Sequence, residues 1–402
     1  MKKFLIFLVV SFICTGIAFD MNFHKSATVY CSDETTFHQL ETELNENIDL
    51  QLSGLDFSKL QEYIETIPQQ ELDMFGSTSF LDKVKNLISG EFSQNQQSIW
   101  NSIVNLIFDN ILNIIPIIFL VIAIGVIFSL VSASRPQSKN KSIGDIIHFV
   151  CYGAIIIILI TSVSSMITLT SNTIQNIKTQ IDVVMPILLT MMTAIGGTMS
   201  VGVYQPAVAI LSGAIIAIFT KILMPIFIFR LVFSIVSNLS NNVKLEKFSS
   251  FFSSLFKWVI GSVFTVFTAF MAIQGITAGS VDGISIKTAK YAIKNSVPLL
   301  GSYLSDGLNI IVASSVLIKN AIGAGGLLLL FATVVIPIIK LIVFMFGLKF
   351  AAAILEPISD NRISNFISML AKSVSLLIIL ILGCAFSYVL LSGMIMCTAN
   401  IF

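Results

Sequence analysis

The sequence predicts an all-α polytopic membrane protein: six to eight transmembrane helices with a tandem internal repeat, preceded by a signal peptide and a small helical extracytoplasmic region. Three observations carry this expectation. Hydrophobic residues make up 55% of the 402-residue chain and charged residues 11%, against about 25% charged in soluble domains, and mean hydropathy is +0.92. Apolar runs of span length recur from residue 111 to residue 395, and a bilayer asks for about 20 such residues per helix. Landmarks also recur at one offset. Pro186 and Pro225 are 39 residues apart, as are Pro298 and Pro337, and both pairs match at an offset of 112, as do Gly213 and Gly325. Phe248–Lys257 and Ile363–Lys372 share five of ten residues at an offset of 115. A three-residue slip in a loop reconciles the two offsets. The halves run over 183–275 and 298–395. Chance matching in low-complexity apolar sequence is the alternative. Membrane transport folds are often built from such repeats.

The net charge of +1 hides a division. Residues 19–100 hold 14 acids and 4 bases, whereas residues 103–402 hold 8 acids and 17 bases. An acidic, water-facing piece therefore precedes a basic membrane piece.

In chain order, Met1-Lys2-Lys3, the apolar run Phe4–Cys14 and Thr15-Gly16-Ile17-Ala18 form a signal peptide over residues 1–18, with an uncleaved anchor as the alternative. Residues 19–100 read as short helices. Phe57, Leu60, Ile64 and Ile67 lie on one helical face that Pro68 ends. Ser79 caps a second helix that turns Leu81, Val84, Leu87 and Ile88 inward and stops at Gly90. So thin a core needs the membrane part, or a partner, to pack against.

Residues 103–182 form a two-span membrane part, with spans at about 111–132 and 146–167. Between them Arg135, Lys139 and Lys141 stand without an acid, which places that loop in the cytoplasm. Residues 183–240 contain no acid and are broken by Gly196-Gly197, Pro206 and Pro225. They read as one full span plus interrupted or re-entrant segments, or as three short spans. Further spans are expected at 255–275, 324–347 and 374–395.

Between the halves, residues 276–297 form a Gly/Lys linker. Gly275, Gly279 and Gly283 recur every four residues, a bare stripe that suits close helix packing or a flexible connector. Lys287, Lys290 and Lys294 share one helical face and Ile286, Ala289 and Ile293 another, an amphipathic pattern suited to a membrane interface.

No HExxH, GxSxG or GxxxxGK[ST] motif occurs, and the five cysteines form no CxxC. The expectation is therefore no enzyme, no catalytic residue, no metal, no cofactor and no nucleic acid. Gly323-Ala324-Gly325-Gly326 sits among Ile and Leu and reads as helix packing. The unusual residues are ionisable groups in apolar runs: Lys221, Arg230, Asp306, Lys319, Lys340 and Lys349. Arg230 follows Pro225 by five residues and Lys340 follows Pro337 by three, so both are candidates to line a wet cavity. The alternative is that such groups snorkel or pair.

Several stretches resemble the stage III sporulation protein AE family of endospore-forming bacteria: the leader, Leu55–Glu65, Val84–Glu91, Gln274–Gly307, Ile311–Asn320 and Ala351–Pro357. The resemblance spans nearly the whole chain. It implies a multi-pass component of the channel-like complex joining mother cell and forespore, sited in the mother-cell-derived outer forespore membrane. It also implies partners among the other stage III A sporulation proteins and the stage II sporulation protein Q complex. The family supplies no settled catalytic residues. Function is then expected to be transport or channel-type, with a non-conducting structural scaffold as the alternative.

Overall fold

In lipid every backbone N–H and C=O must be satisfied within its own segment, so apolar runs of this length form helices. A computed structural model describes residues 34–69, 71–72, 79–90, 96–133, 141–239, 245–296, 301–358 and 361–398. Among them, three short helices, α1 (Glu34–Ser53), α2 (Ser58–Glu65) and α3 (Phe80–Ser89), precede the long ones. These are α4 (Gln96–Ala133), α5 (Lys141–Ala194), α6 (198–239), α7 (Glu246–Ser296), α8 (Gly301–Leu355) and α9 (Asn361–Cys397). Each of α4 to α9 contains a stretch long and apolar enough to cross a membrane, which gives six candidate spans.

Side-chain contacts give the helix directions. Gly347 of α8 abuts Ile114 and Ile118 of α4, and Gly125 of α4 abuts Leu355, so α4 and α8 run parallel. Ser364 at the start of α9 donates to the Ala352 carbonyl (3.0 Å), and Met396 near its end packs on Gly323, so α8 and α9 run antiparallel. Val184 of α5 faces Gly326 of α8, while Leu159 lies with Leu348, again antiparallel. The bundle is thus up-and-down, with α9 at its centre: 23 of the 37 residues of α9 are buried.

The region 183–239 departs from the expectation. The chain breaks only at Gly196, which takes φ +93°, a left-handed conformation open to glycine. The amides of Gly196 and Gly197 close the end of α5 on the Thr193 and Met192 carbonyls, both at 2.9 Å. Residues 183–194 are therefore the tail of α5, and 198–239 is one helix rather than re-entrant pieces or short spans. Two wider turns, Ile210–Ile215 and Phe219–Leu223, are π-helical. The second lies just before Pro225, where extra backbone length absorbs the missing donor and relieves the ring's clash with the preceding turn.

The helices α5, α7 and α8 are 54, 51 and 55 residues long, about 80 Å each at 1.5 Å per residue. Hydrocarbon is only about 30 Å thick, so they project beyond it. On α5 the exposed apolar residues end at Ile160, and the exposed face continues as Thr161, Ser164, Ser165, Thr168, Asn172 and Gln175. On α4 the exposed apolar surface runs from Val104 to Val131.

The short helices cover the part of α8 and α5 beyond that band. Phe80, with Ser79 capping α3 through Leu81 N (3.2 Å), seats against Gly325. Gln51 bonds Ser314 (2.9 Å) and accepts from Ser315 (2.7 Å). Ile48, Leu52, Leu60, Tyr63, Phe80, Val84 and Leu87 belong to the same hydrophobic core as the spans. The acidic N-terminal region is thus built into the bundle, its carboxylates turned outward at Glu43, Glu46, Glu62 and Glu65.

The polar stretch between the halves is helical as well. The helix α7 continues from its span without a break to Ser296. Gly275 packs against the Met394 methyl group, a close approach that suits the packing role of the stripe. Lys287, Lys290 and Lys294 stand on the continuation of the spanning helix, the first about 18 Å beyond Gly275. Their side chains, and the surroundings of Gly279 and Gly283, lie outside the described residues.

Candidate functional site

The charges within the spans sort into three groups. Lys221 and Lys349 are exposed, and the Lys349 ammonium lies 5.3 Å from the centre of the Phe346 ring, as a snorkelling lysine does. Lys319 is fully buried on α8, where its ammonium donates to the Thr398 carbonyl just past the end of α9. The Thr398 hydroxyl is 2.7 Å from that of Tyr204 on α6. A cation at the carbonyl end of a helix complements its dipole, so Lys319 ties α8 to the end of α9, and Thr398 in turn meets Tyr204 near the start of α6. The Asp306 side chain lies outside the described residues.

Arg230 and Lys340 form the third group, and the structure gives them different neighbours. Arg230 on α6 is 6% exposed. Its Nη1 donates to the Lys372 carbonyl of α9 at 3.2 Å, and its Nε has no partner among the described residues. Ser249 of α7 donates to the Arg230 carbonyl at 3.4 Å. The residue therefore stands where α6, α7 and α9 meet. Lys340 on α8 is half-buried and lies in the field of Glu71, from the N-terminal region. Burial pushes the Glu71 carboxyl up to about 7, and the Lys340 charge works against that rise. Burial, and then the Glu71 charge, raise the Tyr63 hydroxyl above its ordinary range.

Neither cation lines either of two hollows in the bundle. One is small, enclosed and walled by Ile114, Ile117, Ile118, Val121, Leu159 and Phe344; the other is an open groove along α7 beside Lys257 and Trp258. Among the described residues, no three His, Cys, Asp or Glu side chains are grouped to hold a metal ion. Sequence reasoning did not find Glu71. It follows Pro68 in a polar stretch, and only the tertiary fold buries it against α8.

Residues 78–400 match the family described as stage III sporulation protein AE. The chain belongs to that family. The match covers α3, all six long helices and the Gly275–Lys294 stretch, so family membership rests on the membrane part of the fold. A relative named stage III sporulation protein AE, from Bacillus subtilis (strain 168), is 26% identical over 236 residues, which is 59% of each chain. The aligned part thus spans about three fifths of that relative. No solved structure matches the chain.

Proposed function

We propose that this member of the family is a transport or channel-type membrane subunit of the complex that joins mother cell and forespore during sporulation. In this reading it resides in the mother-cell-derived outer forespore membrane. It works there with other stage III A proteins and, across the intermembrane space, with the stage II sporulation protein Q complex. Family membership supports the role in sporulation. The observation that supports transport is Arg230. A cation within a span costs about 2.5–3.5 kcal/mol on the insertion scale, and a helix that served only as an anchor would be better off with leucine there. Arg230 nevertheless faces the inside, with donor capacity left over at Nε.

The rival reading, a non-conducting scaffold, has its own support. The bond from Arg230 to the Lys372 carbonyl ties α6 to α9, and the enclosed hollow between α4, α5 and α8 is apolar. Replacing Arg230 or Lys340 by Met separates the two, because Met keeps length and packing while removing charge. A transport subunit carrying Arg230→Met or Lys340→Met localises and recruits its partners normally, yet spores fail to complete. A scaffold loses assembly instead, or loses nothing. Normal spore yield from both substitutions and from the double variant would overturn the transport reading.

A further inference from the structure

Four of the buried side-chain atoms with no hydrogen-bond partner among the described residues stand where the N-terminal region, α5, α8 and α9 pack together: Glu71 Oε2, the amide oxygen and nitrogen of Gln180, and the Tyr388 hydroxyl. The helix α5 sets out the seam. Asn176, Gln180 and Val184 recur every four residues and share one face. At the lower end of this stripe the Tyr63 hydroxyl donates to the Asn176 carbonyl (3.3 Å). At the upper end, Val184 and the Tyr388 hydroxyl both press on Gly326; a Cβ there would stand 3.0 Å and 2.7 Å from them. Gln180 lies midway, about 6 Å along the axis from each end. Glu71 is close enough to Tyr63 for its charge to act on that hydroxyl, and close enough to Lys340 to feel the ammonium.

The groups complement one another chemically. Gln180 offers two donors and an acceptor, Tyr388 one donor and acceptor capacity, and a carboxyl group donates only when protonated. Gln180 and Tyr388 are fully buried and Glu71 is 8% exposed, and buried polar groups of this kind are ordinarily satisfied, by water where no side chain reaches them. A divalent cation is a poor fit, since one carboxylate stands alone against the Lys340 ammonium.

We propose that the buried Glu71 carboxyl of this seam is a proton-binding site that takes up one proton from water, and that the neutral carboxyl favours docking of the N-terminal helices on α5 and α8. Proton uptake converts the carboxylate and a hydronium ion into a carboxyl group and water, with no other bond changed. Among the described residues, the titratable groups close enough to interact with Glu71 are Tyr63 from α2 and Lys340 from α8. Its raised protonation range means that the docked state binds the proton more tightly than a detached, solvated N-terminal region would. The contribution to docking is full below the ordinary glutamate range and is lost as pH rises through about 7.

The test uses the full chain in phospholipid nanodiscs. Difference infrared spectra record the protonated carboxyl band across pH, and hydrogen exchange over residues 58–72 reports docking. Glu71→Gln, a permanently neutral isostere, serves as the reference at each pH. The expected result is a carboxyl band that titrates near neutrality and is absent from Glu71→Gln. Exchange should be equal in the two proteins at low pH and at least ~10-fold faster in the unsubstituted chain above neutrality, tenfold being the equivalent of one pKa unit. A band that stays ionised throughout, or exchange that does not separate the two proteins, overturns the proposal. Should Glu71→Gln fail to fold, Lys340→Met decides the matter. Removing the ammonium withdraws support from the ionised form and moves the titration midpoint upward, and an unmoved midpoint overturns the proposal.

Discussion

Gly326 separates packing from helix propensity with one methyl group. In the interior of α8, Gly326→Ala gains about 1 kcal/mol of helix propensity. Against that gain, the new Cβ meets the Tyr388 hydroxyl at 2.7 Å and Val184 Cγ1 at 3.0 Å. Neither neighbour can swing clear: both side chains are completely buried, and Val184 has no torsion beyond χ1. Overpacking of this kind costs about 1–3 kcal/mol. Gly393 on α9 is the matched control, since a Cβ there meets nothing within 4 Å. Gly393→Ala carries the same propensity gain without the clash, so the difference between the variants isolates the steric cost, about 1–3 kcal/mol. Thermal unfolding of the detergent-solubilised proteins, followed by loss of the monodisperse species, measures it. Gly393→Ala should melt at or above the parent and Gly326→Ala clearly below it. Equal melting of the two alanine variants would refute the close α5–α8–α9 packing, and with it the role of the 323–326 glycines.

Other outcomes follow from single contacts. Ser79→Ala removes the cap on α3 and should cost about 1 kcal/mol; the loosening should appear as faster exchange of residues 80–89, and unchanged exchange there would count against the capped helix. Membrane-impermeant labelling of cysteines placed at Lys59 and Lys139 should reach them from opposite sides of the membrane, since one α4 span separates them; labelling of both from one side would defeat the topology. The pH response of N-terminal docking should flatten in Glu71→Gln, whereas the parent loosens as pH rises toward 7.

The spans were legible because lipid leaves a long apolar run one option. The caps at Ser79 and Gly90 were legible for a local reason: the side-chain acceptor at one end and the left-handed φ of +73° at the other depend on single residue types. What escaped the sequence was tertiary. Gly196-Gly197 was visible as a break, but nothing local distinguishes a re-entrant segment from a helix that carries Pro206 and Pro225 within it and takes two π turns between them. The 276–297 stretch reads as a linker with a separate amphipathic helix, and what its polarity hides is that residues 276–296 continue the helix of the preceding span without a break. Glu71 and Gln180 are ordinary polar residues until α2, α5 and α8 enclose them.

The two halves can be compared through their turns. Ser249 and Ser364, matched at an offset of 115, both open a returning helix, and both donate to a carbonyl of the helix just before it, Arg230 in one half and Ala352 in the other. Those acceptors are 122 residues apart, while the prolines match at 112. A common ancestor of the halves would therefore have to accommodate a shift along the outgoing helix as well as the slip in the loop. The π turns in α6, for which α8 shows no counterpart, are places where residues inserted into one half could be taken up without moving the ends of the helix. On that argument Arg230 and Lys340 are not equivalent residues serving one cavity from two sides. Arg230 stands where α6, α7 and α9 meet, with its Nε left over, and Lys340 stands beside Glu71 of the N-terminal region, so their substitutions should act through different contacts.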